Sequence, residues 1–253
     1  MTRIIMSGCN GRMGQVITRL VKDDEDAVIV AGIDINNSTD NEYPVFKSLW
    51  ECDAEADAVI DFTSPALLTE MLDWAIEKQV PVVLCTTGYT KEQTEEIERA
   101  SKRVALLRSA NMSLGVNTIM KLVQAAAKVL AQADFDIEIV EKHHNRKLDA
   151  PSGTALALAD AVNEVLDGKY DYKYDRSSER AERKKNEIGI SAVRGGTIVG
   201  EHEVIFAGTD EVVEIKHTAY SKAVFGKGAI SAAKFLKGQP AGLYNMHQVI
   251  GDI

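Results

Sequence analysis

"RIIMSGCNGRMGQVITRLVKDD", residues 3–24, decides the fold. Its first half, "RIIMSG", is a short apolar run ending at a glycine and predicts a buried strand. From Gly11 onward, apolar residues at 13, 16, 17, 20 and 21 follow the helical period. Between the two lie Gly8, Gly11 and Gly14, spaced G-x-x-G-x-x-G. The common dinucleotide fingerprint is G-x-G-x-x-G, but the physical demands are the same. Gly8 permits a tight turn, Gly11 lets backbone approach a pyrophosphate, and Gly14 lets helix pack closely on strand. The helix start offers N–H donors and partial positive charge to phosphates. Glycines also serve ordinary turns, so the strand–loop–helix context carries this reading.

Working outward, the alternation continues. Strands are predicted at 27–35, 57–62, 80–88 and 104–111, each nearly all apolar, with helices at 64–79 and 90–103. Ser64 and Thr90 are the expected caps, and Pro65 takes the first helical position. Continuous apolar strands alternating with helices predict an α/β fold, a Rossmann-like doubly wound parallel sheet covered on both faces. Asp34 ends the second strand, where an acidic residue accepts hydrogen bonds from an adenosine ribose; a turn aspartate before "NNST" is the alternative. A carboxylate there repels a 2′-phosphate, and Ile35, Asn36 and Asn37 supply no positive charge. Arg12 offsets this in part. The expectation is NADH preferred, with some NADPH use.

After residue 113 the pattern changes. A long helix is predicted over 115–133, a half-exposed strand over 135–144, and a helix over 152–166. Residues 169–189 read as a charged, solvated loop, 191–220 as antiparallel strands with GG, GT and TD turn signals, and 226–242 as a final helix. The second part is therefore α+β with an open mixed or antiparallel sheet. The boundaries expected are 1–113 with 224–253 for a dinucleotide-binding domain, and 114–223 for a substrate-binding and oligomerisation domain.

The second part contains "EKHHNRKLDAPSGTA", residues 141–155. His143 and His144 end a strand, so their side chains point to opposite faces. Histidine suits general acid work near neutral pH, and Lys147 adds a cation that donates a proton or holds a carboxylate. Ser152 is the expected N-cap after Pro151, and Gly153 and Thr154 present backbone N–H groups at a helix start, an anion site. Together they predict a pocket for a carboxylated substrate. The alternatives are a metal pair, for which adjacent histidines lack the usual spacing, and a solvated basic loop. His202 and His217 read as surface or satisfied sheet residues. In the first part, Thr86, Thr87 and Asn111 end later strands, where they suit a nicotinamide and its ribose, as "DFTSP" (61–65) also could.

Bulk properties agree. The chain has 253 residues, 45% hydrophobic and 26% charged, with net charge −9. Such an acidic chain is a poor nucleic-acid binder. Cys9, Cys52 and Cys85 form no CxxC pair, so neither a zinc site nor a disulfide framework is expected, and no metal is assigned. A cytoplasmic protein with no membrane segment is the expectation, since no apolar stretch reads as long enough to span.

"GCNGRMG", "DFTSP", "TTGY", "SANMSLGVN" and above all "EKHHNRKLDAPSGTA" resemble the 4-hydroxy-tetrahydrodipicolinate reductase (dihydrodipicolinate reductase) family. "VRGGTIVGEHEVIFAG" and "FLKGQPAGLYNM" are similar too, so the resemblance spans nearly the whole chain. It implies reduction of a cyclic dicarboxylate to tetrahydrodipicolinate, a step toward diaminopimelate and lysine, with hydride from NADH or NADPH. By resemblance, Gly8, Cys9, Asn10, Gly11, Arg12 and Met13 hold the pyrophosphate and Asp34 the ribose. Cys85, Thr86 and Thr87, with Ser109, Ala110, Asn111 and Met112, flank the nicotinamide. His143 is the acid/base and Lys147 a second proton donor, while His144, Ser152, Gly153 and Thr154 contact substrate. A homotetramer with two domains closing over the small-molecule dicarboxylate is also implied. The chain departs from the family at Cys9, Asn10 and Cys85, where glycine or alanine is common, and at Ile35, where some members carry a cation. Another two-domain amino-acid dehydrogenase, a non-catalytic NADH-binding protein and a structural oligomer are the competing readings.

Overall fold

A computed structural model describes residues 1–36 and 39–251; Asn37, one of the residues weighed in cofactor choice, lies outside them. The chain divides into two compact units, one combining Met1–Leu114 with residues 223–251, the other covering Gly115–Lys222.

The first unit is the doubly wound sheet that the alternation predicts. Its strands are β1 (Thr2–Ser7), β2 (Ala27–Ile33), β3 (Val45–Phe46), β4 (Ala58–Asp61), β5 (Val82–Leu84), β6 (Ala105–Arg108) and β12 (Gly242–Tyr244), ordered β12-β6-β5-β4-β1-β2-β3. All six pairings are parallel. Helices α1 (Arg12–Lys22), α6 (Ala223–Leu236) and α7 (Met246–Ile250) cover one face through Ile17, Val21, Ala229, Ile230, Leu236 and Met246. Helices α2 (Leu68–Lys78) and α3 (Lys91–Ser101) cover the other through Leu68, Leu72, Trp74 and Ile97. Burial on both faces is why the strands read as unbroken apolar runs. Thr90 caps α3 in a capping box with Gln93, and Ser64 accepts from the Ala66 amide. The sequence reverses its winding between β1 and β4, and the glycine loop leaves β1 at that crevice, where α/β sheets take their ligands.

The second unit packs α4 (Leu114–Leu130) and α5 (Gly153–Glu164) on one face of a five-stranded sheet. Its strands are β7 (Asp136–His143), β8 (Asp171–Lys173), β9 (Glu187–Arg194), β10 (Gly200–Ala207) and β11 (Val212–Ala219), ordered β11-β10-β7-β9-β8. Here the structure corrects the reading of 191–220 as antiparallel strands. β10 and β11 form the expected hairpin, with Asp210 at φ 65 in its turn, but β9 runs parallel to β7. β7 lies between β9 and β10, so the Gly195–Gly196 link crosses over β7 and is no two-residue hairpin. Residues 169–189 are likewise more than a solvated loop. They contribute β8, and Arg183 bonds Asp136, Glu138 and the carbonyls of Ile137 and Glu187, while Arg176 pairs with Glu138 and Glu187. These ion pairs hold a weakly apolar segment to the sheet edge.

Residues Leu114–Ala133 form one helical stretch long and apolar enough to cross a membrane by length and composition, contrary to the sequence expectation. Its apolar side is a core side: Val116, Ile119, Met120, Val123 and Ala127 are buried with the sheet residues Ile137, Ile139, Val204 and Phe206.

Candidate active site

In the first unit, the glycine loop has the shape its spacing requires. Gly8 sits at φ 80, a region that disfavours side chains, and a Cβ there would lie 2.9 Å from the Phe62 carbonyl oxygen. A Cβ on Gly14 would lie 2.2 Å from the Gly8 oxygen, so helix and loop touch backbone to backbone. Gly11 is the N-cap of α1 and supplies no side-chain cap, which leaves the first-turn amides for an anion. Asp34 accepts from the backbone amides of Asn10 and Asn36, both at 2.9 Å. Its carboxylate thus fastens the loop to the end of β2. Asn10 adds bonds to Asn36 and Asn41. Arg12 is exposed, and Met13 is half-buried. Cys9 is buried, which pushes its thiol up to about 11.

Cys85, Thr86 and Thr87 follow β5, and Ser109, Ala110, Asn111 and Met112 follow β6, so both segments reach the same carboxyl edge of the sheet as the glycine loop. Burial raises the Cys85 thiol well above its ordinary range, so it serves there as a small apolar group. The Asn111 side chain accepts from the Ser113 amide, and Met112 is buried in the core. One residue at this edge, flagged only as part of "DFTSP", organises it. Asp61 is buried and accepts from the Thr63 hydroxyl at 2.6 Å and the Thr86 hydroxyl at 2.8 Å. Burial raises its carboxyl above the usual range, with those hydroxyls opposing.

In the second unit, strand parity builds the site. Ile137, Ile139, Glu141 and His143 share the inner face of β7, all buried, and on β10 the same face carries Phe206, Val204 and His202. The apolar ranks thus give way to polar ones at one end of the sheet. His202 stands opposite Glu141 on one side and His217 on the other. Arg194 stands opposite His143 on β9.

Glu141 is the hub. Its Oε2 lies 2.6 Å from His143 Nδ1 and 2.7 Å from an Arg194 nitrogen; its Oε1 accepts from the Ser152 amide at 3.0 Å and from Arg194 at 2.6 Å. Burial alone would raise this carboxyl, but Arg194, His143 and the Ser152 amide hold it below the usual range, so it is an ionised acceptor. Ser152 caps α5 through the Ala155 amide, as predicted, and its hydroxyl also lies 2.9 Å from His202 Nε2. The His143 and His202 rings meet edge to face at 5.1 Å. His202 is therefore neither a surface residue nor fully satisfied: it is buried, its Nδ1 has no partner among the described residues, and burial, then the His143 ring, lowers it to about 4.

His144 follows the end of β7, and its Nδ1 is buried without a hydrogen-bond partner among the described residues. Gly153 is exposed with open space above it, and Thr154 follows in the first turn of α5. Lys147 is mostly buried and pairs with Asp149 at 2.9 Å. The structure thus gathers His143, Lys147, Ser152, Gly153 and Thr154 in and around the polar end of one sheet and the start of one helix. Glu141, Arg194 and His202 were missed. Parity was the available signal for Glu141 and His202, since each continues a buried apolar row; nothing in the sequence places Arg194 beside them.

Comparisons with known proteins agree with this picture. The family model for the dihydrodipicolinate reductase N-terminus matches residues 2–112, and that for its C-terminus matches residues 115–250. A 4-hydroxy-tetrahydrodipicolinate reductase of Caldanaerobacter subterraneus subsp. tengcongensis is 52% identical over 250 residues, covering 99% of this chain and 98% of the relative. One from Clostridium tetani is 50% identical over 246 residues, covering 97% and 96%. A dipicolinate-bound dihydrodipicolinate reductase from Paenisporosarcina sp. TG-14 superposes with a TM-score of 0.82 at 25% identity, covering 97% of each chain. With both halves matched and relatives identical at half their positions, the chain belongs to the dihydrodipicolinate reductase family.

Proposed function

We propose that this chain reduces 4-hydroxy-tetrahydrodipicolinate to tetrahydrodipicolinate with NADH or NADPH, in the route to diaminopimelate and lysine. The observation that carries the reading is the conjunction, within the second unit, of an imidazole held by a buried carboxylate, a lysine and the start of α5. Helix start and lysine are complementary to a carboxylated ring.

The nicotinamide supplies the hydride when bound. The glycine loop fits it, because its close backbone contacts and uncapped helix start suit a pyrophosphate. Residues 8–13 hold that pyrophosphate, and Asp34 takes the adenosine ribose. Cys85, Thr86, Thr87 and residues 109–112 border the nicotinamide. Hydride addition to the unsaturated ring leaves an electron-rich enamine that needs a proton. His143 donates it, with Lys147 as second donor, while His144, Ser152, Gly153 and Thr154 bind the carboxylates. NADH is preferred: the Asp34 carboxylate repels a 2′-phosphate, and the exposed Ile35 beside it offers no charge. The first unit is the dinucleotide-binding domain; the second binds substrate and assembles a cytoplasmic homotetramer.

Mixing the enzyme with the product of the preceding synthase and NADH, then NADPH, tests this. Loss of nicotinamide absorbance is expected, with higher kcat/KM for NADH. No turnover with either cofactor would reject the activity, and a clear NADPH preference would reject the role given to Asp34. Sedimentation of the full chain reads the assembly.

A further inference from the structure

Glu141 transfers no proton in the chemistry described above, yet it is fully buried and every one of its close partners belongs to the site. An ionised carboxylate only accepts hydrogen bonds, so the 2.6 Å contact requires the proton on His143 Nδ1. That leaves Nε2 as the exchanging nitrogen. It lies by Gly200, where an added Cβ would stand 3.2 Å from it, so only the missing side chain keeps this nitrogen uncrowded.

The groups facing His143 decide how Glu141 acts. Glu141 comes from its own strand, Arg194 from β9 and His202 from β10, with His217 behind it on β11; Lys147, paired with Asp149 in the following loop, acts on the neighbouring His202. Arg194 already meets Glu141 with two nitrogens, so the carboxylate's charge is largely neutralised before the imidazole sees it. What Glu141 gives His143 is direction.

We infer that Glu141 is the positioning residue for His143, holding the imidazole by Nδ1–H so that Nε2 alone carries the proton delivered to substrate. This rests on the assignment of His143 as proton donor. In that step the Nε2–H bond breaks, its electron pair stays on the ring, and the proton forms a C–H bond on the enamine. The neutral ring then left has its proton on Nδ1, the tautomer the Glu141 contact selects, so no ring rotation follows.

The test is nitrogen NMR of the full chain with 15N-labelled histidine, the His143 signals being identified by their loss in His143→Gln. In the native protein the neutral His143 ring is expected to hold its proton on Nδ1. In Glu141→Gln, a side-chain amide can either donate or accept, so the single tautomer is lost. With it kcat should fall roughly 10- to 100-fold while both KM values stay within about threefold. A neutral native ring protonated on Nε2, or a Glu141→Gln enzyme with undiminished kcat, overturns the inference. If instead His143→Gln turns over normally, the proton-donor assignment fails, and the tautomer measurement still judges the Glu141 contact separately. Should Glu141→Gln alone strand the Arg194 guanidinium and misfold, Glu141→Gln with Arg194→Met removes both charges and is read the same way.

Discussion

One oxygen atom of Ser152 joins two elements: it accepts from the Ala155 amide at the start of α5 and lies 2.9 Å from Nε2 of His202 on β10. Ser152→Ala removes the cap and strands a buried imidazole together. The cap is worth about 0.5–2 kcal/mol and the orphaned partner about 1–3 kcal/mol. A loss of roughly 2–4 kcal/mol is expected in urea unfolding followed by a probe in the second unit. Ser152→Thr, which keeps the hydroxyl, should recover most of it.

His202 also gives stability a pH dependence. Unfolded, it titrates near 6.5; folded, burial first and then the His143 ring lower it to about 4. Between those values the unfolded chain binds the extra proton. This contribution is therefore complete above pH 6.5 and is lost as pH falls toward 4, by roughly 3 kcal/mol. Melting curves of His202→Gln should be flatter than those of the native protein across that window. Parallel curves would show that His202 does not carry the effect.

The two proposed proton donors should separate kinetically. His143→Gln is expected to lower kcat by about 10²–10⁴ with little change in KM, whereas Lys147→Met should damage both. Lys147 already has a partner in Asp149, whose carboxyl it holds below the usual range. On the proposed role of Lys147, a substrate carboxylate competes with that side chain. Asp149→Asn should accordingly lower the substrate KM several-fold with kcat nearly unchanged, measured by the same absorbance assay.

Gly14→Ala tests the loop. Its methyl group would have to occupy space 2.2 Å from the Gly8 oxygen, so the loop must open. NADH affinity, followed by nicotinamide fluorescence, should fall about tenfold or more, a cost of about 1.4 kcal/mol or more. Affinity equal to that of the native protein would detach the loop from cofactor binding.

The parallel sheet was legible because its strands are buried on both faces, so each appears as an apolar run between helical periods. β3, β8 and β12 were not, since two or three residues cannot display a period. Caps were legible at Ser64, Thr90 and Ser152 because capping is local chemistry. Strand order in the second unit was not: the placement of β7 between β9 and β10 depends on packing against α4 and α5, which leaves no mark on the connecting glycines. The same limit hid Arg194, whose partner lies on another strand 53 positions away. The sequence places Asp61 at a strand end within "DFTSP" but does not show its organising role, because burial of an aspartate there cannot be told from exposure without its hydroxyl partners.

Strand β12 pairs with β6, although the whole second unit is synthesised between them. On the ribosome, β6 therefore emerges with a bare edge that stays open until residues 242–244 arrive, and α6, which seals one face through Ala229, Ile230 and Leu236, is also made after the second unit. The intervening unit has its own core and needs no such delay. Birth order and folding order are thus opposed: the part translated first is finished last, and a chain cut short after residue 222 would expose an adhesive sheet margin to its neighbours.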